Sequence, residues 1–563
     1  MGSELGVTAD TKPHARLDHL GIWWITWATF WTICVASGMA YLIVNRRVPL
    51  LRIRGLGLSL FATTLLHLYW ISCQIGYIIG PLAPGDGEYW IMGTYFPLGI
   101  ALFHASNTRF LYVAKQQRRY AEGRYKEAPR VRGRGPIASF RRMTYTAKML
   151  TLVGLGMIFQ LFMTIFIYLI SRKFHESWGI PGTEVHGTPM EKLGAMGRGW
   201  EWWPTCFWQL LWAWVVAPIV LWKSRHVNDT QGWRFQTFAC AISGLPAVPM
   251  WLIALYVPAM EQVNQYWVPP QWICLSIFFM EIFTVFVPCW QVMAQRRLSS
   301  ETKASIAQWE TKSKMALNGT KSLNTGSSVI ESIVTGMKST NESVASGATG
   351  ESILTMSALE YVLDRNPTPL QQFSALRDFS GENIAFLTSV AEWKSSLPVA
   401  ARNSGNPTTD PQVRELVRER YNRALRIYAE FVSVRDAQFP INISGQDLKA
   451  LEAVFEASAR ILYGDKREVD AAVPFDSWNE SGEKGSVSEP SSPHADSCVE
   501  DRVQFWGDIP EAFNETVFDK AEDSIKYLVL TNTWPKFIRD HRRASGDSGE
   551  LEAGNNLVNM ARE

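Results

Sequence analysis

The stretch Asp378-Phe-Ser-Gly-Glu-Asn-Ile-Ala-Phe-Leu387 has the pattern of a helix start. Ser380 suits the N-cap, because its hydroxyl can accept a hydrogen bond from a free backbone N–H of the first turn. Glu382 follows where the helix dipole favours an anion. We expect a helix docked on a bundle, with Glu382 and Asn383 at its exposed tip. Apolar residues at helical spacing then predict one buried stripe, made of Phe386, Leu387, Val390 and Ala391.

The composition divides the chain into two halves that suit different solvents. The 563 residues are 47% hydrophobic and carry a formal charge of +2, and 19 of the 24 Trp lie before residue 298. Ser, Thr, Glu and Lys dominate much of the chain beyond that residue. The seven Cys include no CxxC pair, so the sequence shows neither a zinc spacing nor a disulfide framework. We expect no metal site and no cofactor.

Seven apolar runs precede residue 298, and each is long enough to cross about 30 Å of hydrocarbon as a helix. Five of them contain no Asp, Glu, Lys or Arg, whereas a soluble core helix of that length would need a charged face. The sequence therefore predicts a seven-transmembrane helix domain over residues 20–297, with runs at about 20–44, 56–80, 91–113, 149–170, 202–222, 235–260 and 272–292.

Lys and Arg are concentrated in alternate loops, which sets the orientation by the positive-inside rule. The segment between the third and fourth runs holds eleven of them, whereas residues 81–90 and 258–271 hold none. We expect residues 1–19 outside the cell, everything after Val292 inside, and the protein in the plasma membrane. Attraction to anionic membrane lipid explains the basic loop more simply than binding to nucleic acid.

Three ionisable residues lie inside the apolar runs and need a partner there. Glu281 lies in the seventh run, His67 in the second and His104 in the third. Glu281 could form a structural hydrogen bond with one of the histidines, recognise a ligand or relay protons. The sequence leaves these alternatives open.

The number and orientation of the runs resemble those of G-protein-coupled receptors. The resemblance is one of topology. The outer segments hold no candidate Cys for that family's usual outer disulfide, and Asn107-Thr-Arg-Phe110 replaces the acidic-Arg-aromatic triplet after the third helix. These two departures argue against ordinary receptor-type activation.

Beyond the last run, the sequence predicts a linker and an all-helical domain. Residues 298–355 are rich in Ser, Thr, Gly and Lys, which predicts a flexible cytoplasmic linker. Helical periodicity then returns over residues 356–540, with no strand-like alternation of comparable length. Residues 397–411 and 466–510 are expected to be loop insertions, the second of them disordered, and we expect disorder in the tail 541–563. The predicted fold class is therefore all-α.

Six segments of this domain resemble, in order, the motifs of the RGS domain, the regulator of G-protein signalling. The family's central signature, Ser-Glu-Glu-Asn-aliphatic-x-Phe, resembles Ser380-Gly-Glu-Asn-Ile-Ala-Phe386. Its Lys/Arg-Ile-Tyr-x-x-Phe helix resembles Arg426-Ile-Tyr-Ala-Glu-Phe431. The other four segments are 369–376, 441–443, 518–521 and 534–537.

The resemblance implies a partner and a set of contacting residues. The family binds the GTP-loaded α subunit (Gα) of a heterotrimeric G protein and accelerates its GTP hydrolysis. Carried over by position, Phe379, Glu382 and Asn383 would contact the switch regions of Gα. Asn442 would hold the Gα glutamine that orients the attacking water. The second half of the contact surface would consist of Leu528, Asn532 and Lys536.

Three positions depart from the family pattern. Gly381 replaces an acidic residue of the signature, and Asn532 replaces a common Asp. Lys536 replaces a common Arg and so loses a bidentate fork. We expect these changes to alter the preference for particular Gα subunits or to weaken binding.

A seven-helix membrane half joined to a cytoplasmic RGS domain resembles hybrid proteins of fungi and plants. The leading hypothesis is a membrane-tethered GTPase-activating protein that terminates G-protein signalling, and a further one is that the seven-helix half senses an extracellular ligand. One alternative is a transporter or proton-coupled carrier with Glu281 as its working residue. Another is a docking scaffold without GTPase activation. The chain contains no Walker P-loop, HExxH or GxSxG motif, so we expect no catalysis of its own.

Overall fold

The computed structural model describes most of the chain as helix. The described residues are 12–84, 86–124, 136–137, 140, 143, 145–175, 178–316, 354–396, 411–464, 504–541 and 543. Within them, the only extended pairing is an isolated bridge between Ser171 and Ile180, so the predicted all-α class holds for this part of the chain. Five predicted segments lie mostly outside the described residues: the N-terminal segment, the linker (from residue 317 to 353), the two insertions and the tail.

Seven long helices follow one another over residues 12–316 of the described chain, which we call the N-terminal bundle. They are α1 (His19–Val44), α2 (Leu56–Ile79), α3 (Tyr95–Ala121), α4 (Tyr145–Ile170), α5 (Trp200–Ser224), α6 (Trp233–Tyr256) and α7 (Pro270–Glu281, continued by Ile282–Phe286 and Val287–Ala316). Shorter helices lie between them at Pro49–Arg52, Gly87–Gly93, Pro189–Met196 and Glu261–Asn264.

Six of these helices are long and apolar enough to cross a membrane, counted over the described residues: α1, α2, α4, α5, α6 and α7. Large apolar side chains cover their outer faces. On α4, for example, Ile158 is 68% exposed, and Phe159 and Phe162 are exposed beside it. Water would penalise such a surface, whereas hydrocarbon would not. These helices fit a multi-pass membrane protein.

Helix α3 coincides with the third predicted run but is less apolar than the other six. It packs against α2 and α4, and Phe96, Phe103 and Phe110 are buried along it. A helix enclosed by other helices offers little surface to lipid, so it can be less apolar along its length, and its last turn carries Arg118 and Arg119. The seventh span therefore stays a prediction.

Prolines shape three helices of the bundle. Helix α5 has a π-helical segment just before Pro218, and α7 has one at Ile282–Phe286 just before Pro288. Proline lacks a backbone N–H and its ring clashes with the preceding turn, and a wider turn relieves both problems. Helix α6 instead divides at Pro246 into Trp233–Gly244 and Ala247–Tyr256.

The described residues from 354 to 541 form a second packed unit, which we call the C-terminal unit. Its helices are α8 (Met356–Arg365), α9 (Thr368–Leu376), α10 (Gly381–Ser395), α11 (Pro411–Ile427, continued by Tyr428–Val432), α12 (Gly445–Tyr463) and α13 (Asp519–Leu528, continued by Val529–Thr533). Residues 534–541 are also helical.

Aromatic residues from five of the six RGS-like segments meet in the core of this unit. Phe386 packs against Phe431 and Phe518, with ring centroids 6.0 and 6.1 Å apart. Phe373 packs against Phe537 at 5.4 Å. Burying each ring contributes about 1.5–3 kcal/mol to stability. The apolar positions of these segments therefore stabilise one common core.

The start of α10 differs in part from expectation. Ser380 occupies the N-cap position, but its hydroxyl donates to Asp378 Oδ2 at 3.0 Å and makes no capping bond to the first turn. The buried stripe is present at Phe386 and Val390, whereas Ala391 is exposed.

The predicted linker and the second insertion also differ from expectation at their ends. Helix α7 continues through residues 298–316, where the ion pair between Arg297 and Glu301 at i,i+4 supports the helix. At the end of the second insertion, Phe505 is buried and its N–H donates to Asn422 Oδ1 at 2.7 Å. Residues 504–510 therefore pack onto the C-terminal unit because an aromatic side chain anchors them.

Candidate functional site

A buried polar cluster in the N-terminal bundle contains two of the three ionisable residues predicted inside the membrane. Glu281 Oε1, on α7, lies 2.7 Å from His67 Nδ1 on α2. Its other carboxylate oxygen accepts a hydrogen bond of 2.5 Å from Trp31 Nε1 on α1. This carboxylate joins three helices and is 1% exposed. Because both oxygens have partners, the buried group is satisfied within the bundle.

Thr32 fixes the second nitrogen of the His67 ring. His67 Nε2 lies 3.1 Å from Thr32 Oγ1, and the Thr32 hydroxyl donates to the Ala28 carbonyl at 2.7 Å. Since that hydroxyl proton is already used, Thr32 accepts and Nε2 donates. A second proton is then shared between Nδ1 and Glu281. In either position of that proton, the pair carries no net charge.

His104 lies apart from this pair. It is buried on α3, and its ring stacks on Trp212 of α5 with centroids 5.8 Å apart. The partner of Glu281 is therefore His67. Of the three roles left open by the sequence, this geometry favours the structural hydrogen bond.

The C-terminal unit packs against one end of the N-terminal bundle, a contact that we call the interface. Helices α9 and α10 contact α3, and the Val529–Thr533 segment contacts α7. The hydrophobic core of the unit continues into the bundle, where it includes Phe110, Val113, Tyr120 and Trp233. The two parts of the chain therefore share one continuous core.

Gln117, on α3, binds the first turn of α10 through both ends of its amide. Its Nε2 donates to Glu382 Oε2 at 2.8 Å, and its Oε1 accepts from the Gly381 N–H at 3.0 Å. A Cβ at position 381 would lie 2.9 Å from that Gln117 oxygen and 2.7 Å from the Ala375 Cβ. Glycine at this position leaves the space that the amide occupies.

Burial alters the ionisation of Glu382. The side chain is 9% exposed, and its burial raises the pKa of the carboxyl group to about 7. The Gln117 hydrogen bond and the charge of Arg52 lower this pKa, whereas Asp378 raises it further. Asn383 beside it is 6% exposed. The prediction that Glu382 and Asn383 form an exposed helix tip is therefore wrong, because α10 starts against α3.

The connection between α5 and α6 holds Asp378, just before α10. Thr230 donates its backbone N–H to the Arg377 carbonyl at 2.8 Å and its hydroxyl to Asp378 Oδ1 at 3.0 Å. Gln231 Nε2 donates to the Asp378 carbonyl at 2.5 Å. Lys536 pairs with Asp378 Oδ1 at 2.8 Å. The predicted Gα contact Lys536 therefore neutralises a fully buried carboxylate of its own unit.

Phe379 anchors the interface in an uncommon backbone conformation. Its φ of 51° lies in the left-handed region, where bulky residues are rare, and within the described chain no other non-glycine residue has a positive φ. The ring is 2% exposed and packs edge-on against Phe110 and Trp233, with centroids 5.9 and 6.4 Å away. Two aromatic residues of the bundle thus hold a strained residue in place.

The other predicted Gα contacts lie at the edge of the interface or outside it. Asn532 is half-buried and accepts a hydrogen bond of 3.1 Å from Gln295 Nε2 on α7. Leu528 is half-buried at the end of α13. Asn442 is exposed in the turn before α12. Asn442 is therefore the predicted contact residue with the most accessible side chain.

Sequence reasoning missed the bundle residues that hold the C-terminal unit. Gln117 lies in a basic stretch, and Thr230 and Gln231 lie in a short polar connection, so their local patterns are those of solvated residues. Phe110 offers a usable signal, because an aromatic side chain at the polar end of an apolar run needs an apolar partner.

The chain has no counterpart among the known proteins with which it was compared: no family model, no curated protein and no solved structure matches it. Its function is therefore inferred from its own residues. The interface contains hydrogen-bonding amides, the carboxyl groups of Glu382 and Asp378, and aromatic rings.

Proposed function

We propose that this chain is a membrane-tethered GTPase-activating protein for the α subunits of heterotrimeric G proteins. The observation that carries the proposal is the shared core of the RGS-like segments. Phe373, Phe386, Phe431, Phe518 and Phe537 come from five segments spread over residues 369–537, yet they pack together. Six motif matches in order, with their apolar positions in one core, support an RGS-type unit.

The proposed activity needs little chemistry from this chain. Gα supplies its own arginine in cis, so its partner need only hold the mobile switches in their transition-state arrangement. An uncharged amide such as that of Asn442 can both donate to and accept from the Gα glutamine. The turn that carries it is well ordered by its neighbours: the Ile441 N–H donates to the Phe431 carbonyl at 2.8 Å, and Ser444 caps α12.

Membrane attachment gives the proposed activity a physical advantage. Gα is itself held at the membrane, so tethering raises the effective concentration of the two partners. We propose a seven-helix bundle in the plasma membrane with its N-terminus outside and the C-terminal unit in the cytoplasm. In that orientation the unit and Gα share one membrane surface.

The polar cluster gives no support for a carrier. Both oxygens of Glu281 already have partners, on His67 and Trp31. A carrier site would need groups that can exchange a ligand or a proton with the outside. A structural role for Glu281 accounts for its contacts.

Single-turnover GTP hydrolysis tests the proposal. The full chain in phospholipid nanodiscs is added to purified Gα–GTP, with one Gα from each main class. We expect faster hydrolysis by at least one Gα and preferential binding to Gα with GDP and aluminium fluoride. Asn442→Ala should reduce both effects, since it removes the amide while leaving the fold intact. Acceleration by Asn442→Ala equal to that by the wild type would contradict the site assignment.

A further inference from the structure

The surface that the resemblance assigns to Gα is largely the surface that the N-terminal bundle covers. Phe379 and Glu382 contact the bundle directly, and Asn383 is buried beside them. Asn532 is bonded to Gln295 of α7. A protein as large as Gα cannot reach Phe379 and Glu382 while the bundle contacts them, nor Asn383 while it is buried.

Two of the three departures from the family pattern, Gly381 and Asn532, hydrogen-bond directly to the bundle, and the third, Lys536, pairs with a carboxylate that the bundle also contacts. Gly381 leaves space for Gln117 of the bundle and for Ala375 of its own unit, and an acidic side chain there would collide with both. Asn532 accepts a hydrogen bond from α7. Lys536 neutralises the carboxylate that the α5–α6 connection holds. The residues that depart from the family's Gα-binding pattern therefore stabilise the contact with the bundle.

The α5–α6 connection, which contacts the C-terminal unit, also hydrogen-bonds to the connection between α1 and α2. Arg54, between α1 and α2, donates to Gln236 Oε1 at 2.7 Å and to the Gln231 carbonyl at 3.0 Å. The side chain of Gln231 in turn holds Asp378. A shift of α2 relative to α6 would therefore move Gln231 and weaken its hydrogen bond to Asp378.

We infer that the interface is an autoinhibitory contact, in which the N-terminal bundle and Gα compete for one surface of the C-terminal unit. The inference rests on the proposed function. A closed and an open arrangement are in equilibrium, and the open one binds Gα through Phe379, Glu382 and Asn383. The apparent affinity for Gα is then reduced by the fraction of molecules that are open.

The backbone amide of Thr230 reports directly on this competition, because it donates to the Arg377 carbonyl across the interface. Hydrogen–deuterium exchange of peptides containing Thr230 is measured on the full chain in nanodiscs, with and without Gα bound to GDP–aluminium fluoride. Competition predicts faster exchange at Thr230 when Gα binds. Binding of Gα with unchanged protection of Thr230 overturns the inference and leaves the proposed function standing.

Variants in the bundle test the same point without altering any residue assigned to Gα. Gln117→Ala combined with Gln231→Ala removes hydrogen bonds of the interface. Gln116→Ala is the matched control, since that side chain bonds to Arg119 of its own helix. At limiting chain concentration, the double variant should accelerate GTP hydrolysis about tenfold more than the wild type, which corresponds to about 1.4 kcal/mol. The control should match the wild type.

The outcomes separate the two proposals. Equal acceleration by the wild type and the double variant overturns autoinhibition, while GTPase activation stands. If no chain, including the double variant, binds or accelerates any Gα, the proposed function fails and the inference fails with it.

Discussion

The amide of Gln117 hydrogen-bonds at once to the Glu382 carboxylate, 265 positions away in the sequence, and to the Gly381 N–H, 264 positions away. One side chain of α3 thus holds the first turn of α10, the helix whose start carries the RGS-like signature. The bundle and the C-terminal unit are joined at the residues that the resemblance assigns to Gα.

We predict that acidification strengthens this contact. The pKa of Glu382 is about 7 in the closed arrangement and 4.5 for an ordinary glutamate. The closed state therefore binds a proton more tightly than an open state with Glu382 in water. Closure gains stability as the pH falls from about 7 towards 4.5, and it becomes independent of pH only well above 7. Between pH 7.5 and 5.5 we expect the closed population to gain about twentyfold over the open one.

A spin-label distance between the bundle and the C-terminal unit, recorded in nanodiscs over this pH range, measures that equilibrium. Glu382→Gln is the matched control, because its amide cannot titrate, and its distance distribution should not change with pH. An equal pH response of Glu382→Gln and the wild type would assign the effect to another group.

A methyl group at position 381 should open the interface. In Gly381→Ala, the new Cβ would lie 2.9 Å from Gln117 Oε1 and 2.7 Å from the Ala375 Cβ, so neighbouring groups must move. We expect a cost of about 1–3 kcal/mol, typical of overpacking. Amide exchange at Thr230 should rise accordingly. In a double-mutant cycle, Gln117→Ala should relieve part of the cost, and strict additivity would contradict the contact.

Phe379 permits a test of backbone strain at the interface. Both Phe379→Ala and Phe379→Gly lose the packing against Phe110 and Trp233. Because φ is 51°, glycine should be the more stable of the two variants by about 1 kcal/mol, the reverse of the usual order in helices. Chemical unfolding of the two variants measures the difference. A more stable alanine variant would show that the left-handed conformation is absent.

The neutral pair in the bundle predicts a strong coupling between two substitutions. His67→Leu leaves the Glu281 carboxylate buried without its proton partner, and we expect a loss of about 3–5 kcal/mol in stability. His67→Leu combined with Glu281→Leu removes both polar groups and should recover much of that loss. Thermal unfolding in detergent checks this. If the stability loss of the double variant equals the sum of the losses of the two single variants, the two side chains do not interact.

The sequence was sufficient to predict features that depend on local pattern. Six of the seven predicted runs are helices able to span a membrane, because length and apolarity alone decide that property. The pairing of Glu281 with a histidine was also foreseeable, since a carboxylate among apolar residues must find a partner. Which histidine it meets depends on the rotation of α2 and α3, and the sequence does not specify that rotation.

The interface was not foreseeable from the sequence, because many of its residues are polar and polar residues are expected to face water. The start of α10 has the same pattern whether water or the Gln117 amide meets it, so Glu382 was expected at an exposed tip. The glycine at 381 looked like a weakened motif, and the structure explains it by the close approach of Gln117 and Ala375. Contacts between residues more than 260 positions apart leave no local pattern.

The most direct test of the account is single-turnover GTP hydrolysis by Gα in the presence of the full chain in nanodiscs. We predict faster hydrolysis with the wild type, a further increase of about tenfold with Gln117→Ala and Gln231→Ala together, and a loss of acceleration with Asn442→Ala. The account is contradicted if every Gα hydrolyses GTP at its intrinsic rate in the presence of the wild type and of both variants.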